Sequence, residues 1–404
     1  MKLQADKMLN LRHNVLIIGD IEDGITIFRS SFKRHLDFLS VLYSNIAFLL
    51  IGTSTVPLKL ILKTFHSKFL KLKKLKIYDI NCGKEVCQLI AEVFPYLKQL
   101  TLIDLDSNDE NIKIILDNLN LERLSIQGVY WLTGEFVNSI GESVKTLKYK
   151  EINMKEYKGE TVLASLDWSL VNKVLSITRL DLKVKGLEDD FFVSLSKLTP
   201  NLKSLVFDGD ALHNLSHLKL PLSDLSLKIL GEFSVPNQIT EPMTSVKTLD
   251  LELWIKEDIC RDLINLLSAF PSIENLSFFN YSGFFSFKKK FLKVLGEMKN
   301  LQKFTFKDCR DEERLFFRFP NGQRYNVLLR AIDWLDKVKE FNFEVDAFSK
   351  IFCTELVAAL QFHAEQRPDQ QINITFRVYG RDCSNFIKKA PGYPPNFTVE
   401  IDYW

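Results

Sequence analysis

LKKLKIYDI, residues 72–80, returns in altered form as LKQLTLIDL at 97–105 and LERLSIQGV at 121–129. Each copy has an apolar residue, two free positions, an apolar residue, one free position and an apolar residue. The alternation at the end of the phrase is that of a β-strand, whose successive side chains point to opposite faces. With the first apolar residue as anchor, the phrase recurs from Leu72, Leu97, Leu121, Val144, Ile177, Leu202, Leu222, Val246, Ile273, Leu301 and Val338. The spacings run 25, 24, 23, 33, 25, 20, 24, 27, 28 and 37 residues. Weaker strands are expected before these, in NVLIIGD (14–20) and AFLLIG (47–52), and after them, in INITFRV (372–378) and FTVEIDY (397–403).

The segments between strands often carry helical spacing. KEVCQLIAEVF (84–94) sets Val86, Ile90 and Val93 on one face, and NIKIILDNL (111–119) does the same with Ile112, Ile115, Leu116 and Leu119. DICRDLINLLSAF (258–270) repeats the pattern, and polar residues at Asn81 and Ser107–Asn108 mark helix starts. One unit is therefore strand, turn, helix and return. Alone it cannot bury its strand face and its helix stripe; stacked neighbours align the strands into a parallel sheet and bury both. Helices are wider than strands, so the expected stack curves, with the sheet on its concave side.

L-x-x-L-x-[IL] at about 25-residue spacing with helical returns resembles leucine-rich repeat proteins of the ribonuclease-inhibitor-like kind. The resemblance covers roughly residues 70–380, although the Asn or Cys usual after the strand is mostly missing. It implies an α/β leucine-rich repeat solenoid, a horseshoe with a parallel sheet on the concave face and helices on the convex face. Residues 1–70 then form an N-terminal cap with degenerate first repeats, 71–380 the repeats and 381–404 a C-terminal cap. The irregular spacings are most similar to the repeat region of F-box/leucine-rich repeat proteins, the substrate receptors of cullin–RING ubiquitin ligases. That likeness implies a non-enzymatic protein-binding module with a protein partner in the concave groove. The F-box itself is not found: residues 1–60 hold no Leu-Pro phrase and no Trp. A ligase adaptor is thus expected as a partner only if an F-box lies upstream. The other reading is a scaffold or inhibitor with no ubiquitin role. The helical stretch ITIFRSSFKRHLDFLSVL (25–42) reads as a return helix between the first two strands.

The free positions of each strand face the groove. Lys74, Lys76, Arg123, Lys148, Lys150, Arg179 and Lys183 make its first half basic, and residues including Asp250 and Glu252 make its middle acidic. Two readings fit: a sheet face kept polar, or a bipolar groove that orients a charged partner. In LSFFNYSGFFSF (276–287), alternation sends Phe278 inward and leaves Phe279 as a candidate aromatic anchor, with core packing the plainer reading.

The remaining features bound the function. The 53 basic and 51 acidic residues leave a net charge of +2, with no global pull toward nucleic acid or membrane. A phosphate tract would call for a continuous basic stripe; in KFLKLKKLKI (68–77) the lysines alternate with repeat anchors and read as a solvated face. Six cysteines are too few for a disulfide framework in 404 residues. The N-terminus shows no signal-peptide apolar core, so the cytoplasm or nucleus is expected, and the sequons at Asn214, Asn275, Asn280, Asn373 and Asn396 read as chance. His213 and His217 have helical metal-pair spacing but lack a third ligand, and Cys82 and Cys87 lack a second pair. With no phosphate loop, nucleophile elbow or dinucleotide fingerprint, no catalytic residue, metal or cofactor is expected.

Overall fold

Each anchor is followed by a short strand whose apolar positions turn inward, and the strands add side by side in the order of the chain. The computed structural model describes residues 15–18, 48–51, 59, 62–63, 72–78, 81–129, 131–150, 167–183, 191–208, 215, 217–230, 242–254, 260–280, 289–308, 331–347, 350–378 and 393–403. The helix expected at 25–42 lies outside them. The fold is α/β and divides into two compact units, Met1–Lys203 with Leu218–Leu220, and Ser204–His217 with Pro221–Trp404.

In the first unit β1 (Val15–Ile18), β2 (Phe48–Ile51), β3 (Lys74–Tyr78), β4 (Gln99–Ile103), β5 (Arg123–Gln127), β6 (Thr146–Lys150) and β7 (Arg179–Lys183) are parallel neighbours in sequence order. Their register aligns Leu75, Leu100, Leu124, Leu147 and Leu180 in one buried row. A second buried row holds Ile77, Leu102, Ile126, Tyr149 and Leu182. One backbone contact recurs. The Lys73 carbonyl accepts from both Lys98 N–H and Gln99 N–H, each at 2.9 Å. The Lys98, Glu122 and Lys145 carbonyls accept the corresponding pairs from the next strand at 2.8–3.2 Å. The 33-residue interval between Val144 and Ile177 therefore arrives in the same register as the shorter ones.

The returns are α1 (Lys84–Val93), α2 (Asp109–Asn118) and α3 (Phe191–Leu198), with single turns of 3-10 helix at Glu135–Ser139 and Trp168–Leu170. In α1 the inward face is Cys87, Ile90, Ala91 and Val93, while Val86 is partly exposed. Cys87 takes the inward place expected for Val86 because it stands three and four residues before Ile90 and Ala91. Asn81 does not cap α1, which starts after Gly83 without a side-chain cap; its amide instead donates to Asp106 at 3.3 Å. Asn108 caps α2 as expected, its Oδ1 accepting from Asn111 N–H at 3.0 Å. Asp109, in the first turn of α2, holds the next return: its carboxylate accepts from the N–H groups of Thr133, Gly134 and Phe136 at 2.7, 3.1 and 2.9 Å. Gly134 sits at φ 115°, a conformation that favours glycine, and opens the 3-10 turn.

The second unit holds β8 (Ser204–Asp208), β9 (Asp224–Leu230), β10 (Thr248–Trp254), β11 (Asn275–Asn280), β12 (Lys303–Asp308), β13 (Glu340–Ala347), β14 (Gln371–Val378) and β15 (Phe397–Tyr403), again parallel and in order. Its helices are α4 (Cys260–Ser268), α5 (Lys289–Glu297) and α6 (Lys350–Gln366). Leucine gives way to phenylalanine along its core: Phe278 meets Phe291 and Phe304 at ring separations of 5.6 and 6.0 Å, and Phe304 meets Phe341 at 6.4 Å. Buried Gln370 donates to the carbonyls of Asp336 and Val338 at 3.0 and 2.9 Å. One repeat on, the Asn396 amide reaches the carbonyls of Ala364, Arg367 and Gln370 at 2.8–3.0 Å. These amides satisfy turn carbonyls that burial would otherwise leave unpaired.

Leu124 is 1% exposed at the centre of the first unit's row. Leu124→Ala should cost about 2–5 kcal/mol through the cavity it leaves. Urea unfolding of wild type and variant checks this, and an unchanged midpoint would contradict the burial.

Candidate functional site: the polar strand faces

Alternation that buries the leucine rows leaves the other side chains of each strand on one polar face. In the first unit, register sorts that face into three rows. Lys74, Gln99, Arg123, Thr146 and Arg179 stand at the strand starts. Lys76, Thr101, Ser125, Lys148 and Asp181 form the middle row, and Tyr78, Ile103, Gln127, Lys150 and Lys183 the last. The sequence-predicted basic residues thus share one face of one sheet. Lys148 is held by Asp181 at 3.0 Å. Among the described residues, the other six, Lys74, Lys76, Arg123, Lys150, Arg179 and Lys183, have no acidic partner. Lys150 and Lys183 are direct register partners, so two like charges stand about 5 Å apart at the backbone.

The face of the second unit differs. Asp250 and Glu252 lie on β10 as expected, but Lys228 is in register between Asp208 and Glu252 and breaks the acidic run. It holds the place in its strand that Tyr78 and Lys150 hold in theirs, so the phrase already assigns it to the polar face and the sequence reading passed it over. Phe279 is on the polar face, in register between Glu252 and Lys307, with the Lys307 ammonium 5.8 Å from its ring centre. Phe278 is fully buried. Residues 281–287 of the aromatic cluster lie outside the described residues.

Across β12–β14 opposite charges meet. Lys303 bonds Glu340 at 2.7 Å, Lys307 bonds Glu344 at 2.8 Å, and Arg377, almost wholly buried, also pairs with Glu344. The Lys303 hydrogen bond, helped by the Asn342 amide, holds the Glu340 carboxyl below its usual range. Phe279 and Lys307 are therefore engaged within the sheet, whereas most cations of β3–β7 are not.

The weaker constellations find structural places. Cys82 and Cys87 are both buried as free thiols, and Cys87 donates to the Cys82 carbonyl at 3.4 Å. Its hydrogen-bonded neighbour Cys87, together with burial, pushes the Cys82 thiol well above its usual range. His217 is exposed, His213 lies outside the described residues, and no cluster of three or more metal-ligating side chains occurs among the described residues. Of the sequons, Asn275, Asn373 and Asn396 use their amide nitrogens in hydrogen bonds within the sheet or turns. No helix among the described residues is long and apolar enough to cross a membrane. Compared with known proteins, the chain matches no protein-family model and no curated protein sequence.

Because its folded pKa is lowered, Glu340 contributes stability that is present above the unfolded carboxylate pKa and lost as pH falls through the folded one. Glu340→Gln should cost less than about 1 kcal/mol at neutral pH, the side chain being partly solvated. That difference should vanish once the pH is below the carboxylate range. Denaturant melts of both proteins across pH check it; a difference that persists in acid would place its origin elsewhere.

Proposed function

We propose that the chain is a leucine-rich repeat protein of the ribonuclease-inhibitor-like kind and that it works as a non-enzymatic protein-binding solenoid. Strand phrases at near-constant spacing, parallel strands in chain order and helical returns support the repeat assignment. The position after the strand where Asn or Cys is usual holds buried Leu105 and Val129 in two repeats, an apolar variant of the same turn. The observation that carries the binding role is the polar face of β3–β7, where six cations have no acidic partner among the described residues. Like charges held side by side are unfavourable in the free protein, and a partner that neutralises them gains that energy on binding.

Within this role, the irregular repeat spacing favours a substrate-recognition subunit of a cullin–RING ubiquitin ligase, acting in the cytoplasm or nucleus. A relative lacking the F-box, serving as a scaffold or inhibitor without ubiquitin chemistry, is the second reading. Residues 1–60 themselves hold no Leu-Pro phrase and no Trp, which keeps this reading beside the first.

Affinity purification of the tagged chain with mass spectrometry separates the two. Co-recovery of the ligase adaptor and cullin supports the receptor; a reproducible protein partner without them supports the scaffold. The purified 404-residue chain should not bind purified adaptor by itself. Binding at about micromolar Kd or tighter, about −8 kcal/mol, would mean that a divergent adaptor-binding module lies within the first 60 residues.

A further inference from the structure

We infer that the face of β3–β7 takes an acidic segment of a partner protein in polyproline II conformation, with a carboxylate at every third residue. This rests on the protein-binding role and names the chemistry of the partner.

The row at the strand starts reads Lys74, Gln99, Arg123, Thr146, Arg179, so that cations stand on every second strand. All three cations are exposed, and none has an acidic partner among the described residues. Neighbouring strands are about 4.8 Å apart, which puts successive cations about 10 Å apart across the sheet. A polyproline II segment rises about 3.1 Å per residue with three residues per turn, so every third side chain points the same way at about 9.3 Å intervals. A segment crossing the strands in that conformation presents its acids to Lys74, Arg123 and Arg179 in step. An extended β-segment does not, because residues three apart lie on opposite sides of it.

Gln99 and Thr146 separate polyproline II from a helix. Neither side chain has a hydrogen-bond partner among the described residues. A polyproline II backbone has no internal hydrogen bonds and offers its carbonyls to an amide and a hydroxyl at these places. A helix bonds its own carbonyls and would leave Gln99 and Thr146 unused. Nucleic acid fits less well, since a phosphate chain is matched by an unbroken basic stripe and this row is uncharged at alternate positions.

The test uses the full chain and fluorescence anisotropy at low salt. One labelled peptide has four Glu-Pro-Pro triplets; a second has the same number of Glu residues alternating singly with Pro; the third probe is oligo-dT. The triplet peptide should bind about tenfold tighter than the alternating one, although their charges are equal. The double variant Arg123→Gln, Arg179→Gln should lose about tenfold or more of that affinity. Lys247→Gln, which removes a cation paired with Glu274 in the second unit, should leave it unchanged. Equal binding of the two peptides, tighter binding of oligo-dT, or full retention in the double variant would each overturn the inference. If neither peptide binds but a partner recovered by affinity purification does, the acidic-segment inference fails and the protein-binding role stands. If no protein partner is recovered either, both fail.

Discussion

At eight strands a single carbonyl at the foot accepts two N–H groups from the strand that follows, and the rest of the structure depends on that contact. At Lys73, Lys98, Glu122 and Lys145 in the first unit, and at Ser223, Lys247, Glu274 and Gln302 in the second, it starts the next strand in register. Register matters because side chains alternate: a one-residue slip would carry every leucine of a strand to the polar face and every lysine into the core. With register fixed, leucines stack on leucines, and the positions between them become rows on one polar face. The length of a return is then free to vary. The 37-residue interval from Leu301 to Val338 ends with Lys339 and Glu340 bonded to Gln302 as regularly as the shorter ones.

The same rows set the electrostatics. Where acids and bases fall in neighbouring strands at one level, as with Lys303 and Glu340 or Lys307 and Glu344, they close on each other and the face is neutral within itself. In β3–β7 one carboxylate, Asp181, faces the basic side chains and takes up Lys148 alone. Partly solvated pairs of this kind add little to stability. Their consequence is that the charges facing each other across β12–β14 are taken up within the sheet, while in β3–β7 six cations have no acidic partner among the described residues.

Most of the fold could be read from the sequence because its signal is periodic. Leu75, Leu100, Leu124 and Leu180 share a place in the phrase and share a buried row. The weak strands at 15–18, 48–51, 371–378 and 397–403 are also where hydrophobic runs placed them, give or take a residue or two. What could not be read depends on three dimensions. No spacing rule says that Asp109 would hold the Thr133–Phe136 turn, or that Asn81 would bond Asp106 instead of capping α1. The basic residues of the site were legible because they occupy the free positions. Their lack of partners was not, because it depends on which strand lies beside which and in what register. Lys228 was legible and passed over: it stands six residues after its anchor Leu222, as Lys150 stands six after Val144.

Register can be measured directly by paired cysteines. Arg123 and Thr146 are register partners on β5 and β6, so Arg123→Cys with Thr146→Cys places two Cα atoms about 4.8 Å apart, within disulfide reach. Arg123→Cys with Lys148→Cys is offset by two residues along the strand, which puts the pair about 8 Å apart and beyond it. Mild oxidation followed by peptide mapping should find the first disulfide and not the second. A disulfide in the offset pair, without one in the registered pair, would contradict the shared register from which both the buried leucine rows and the cation row follow.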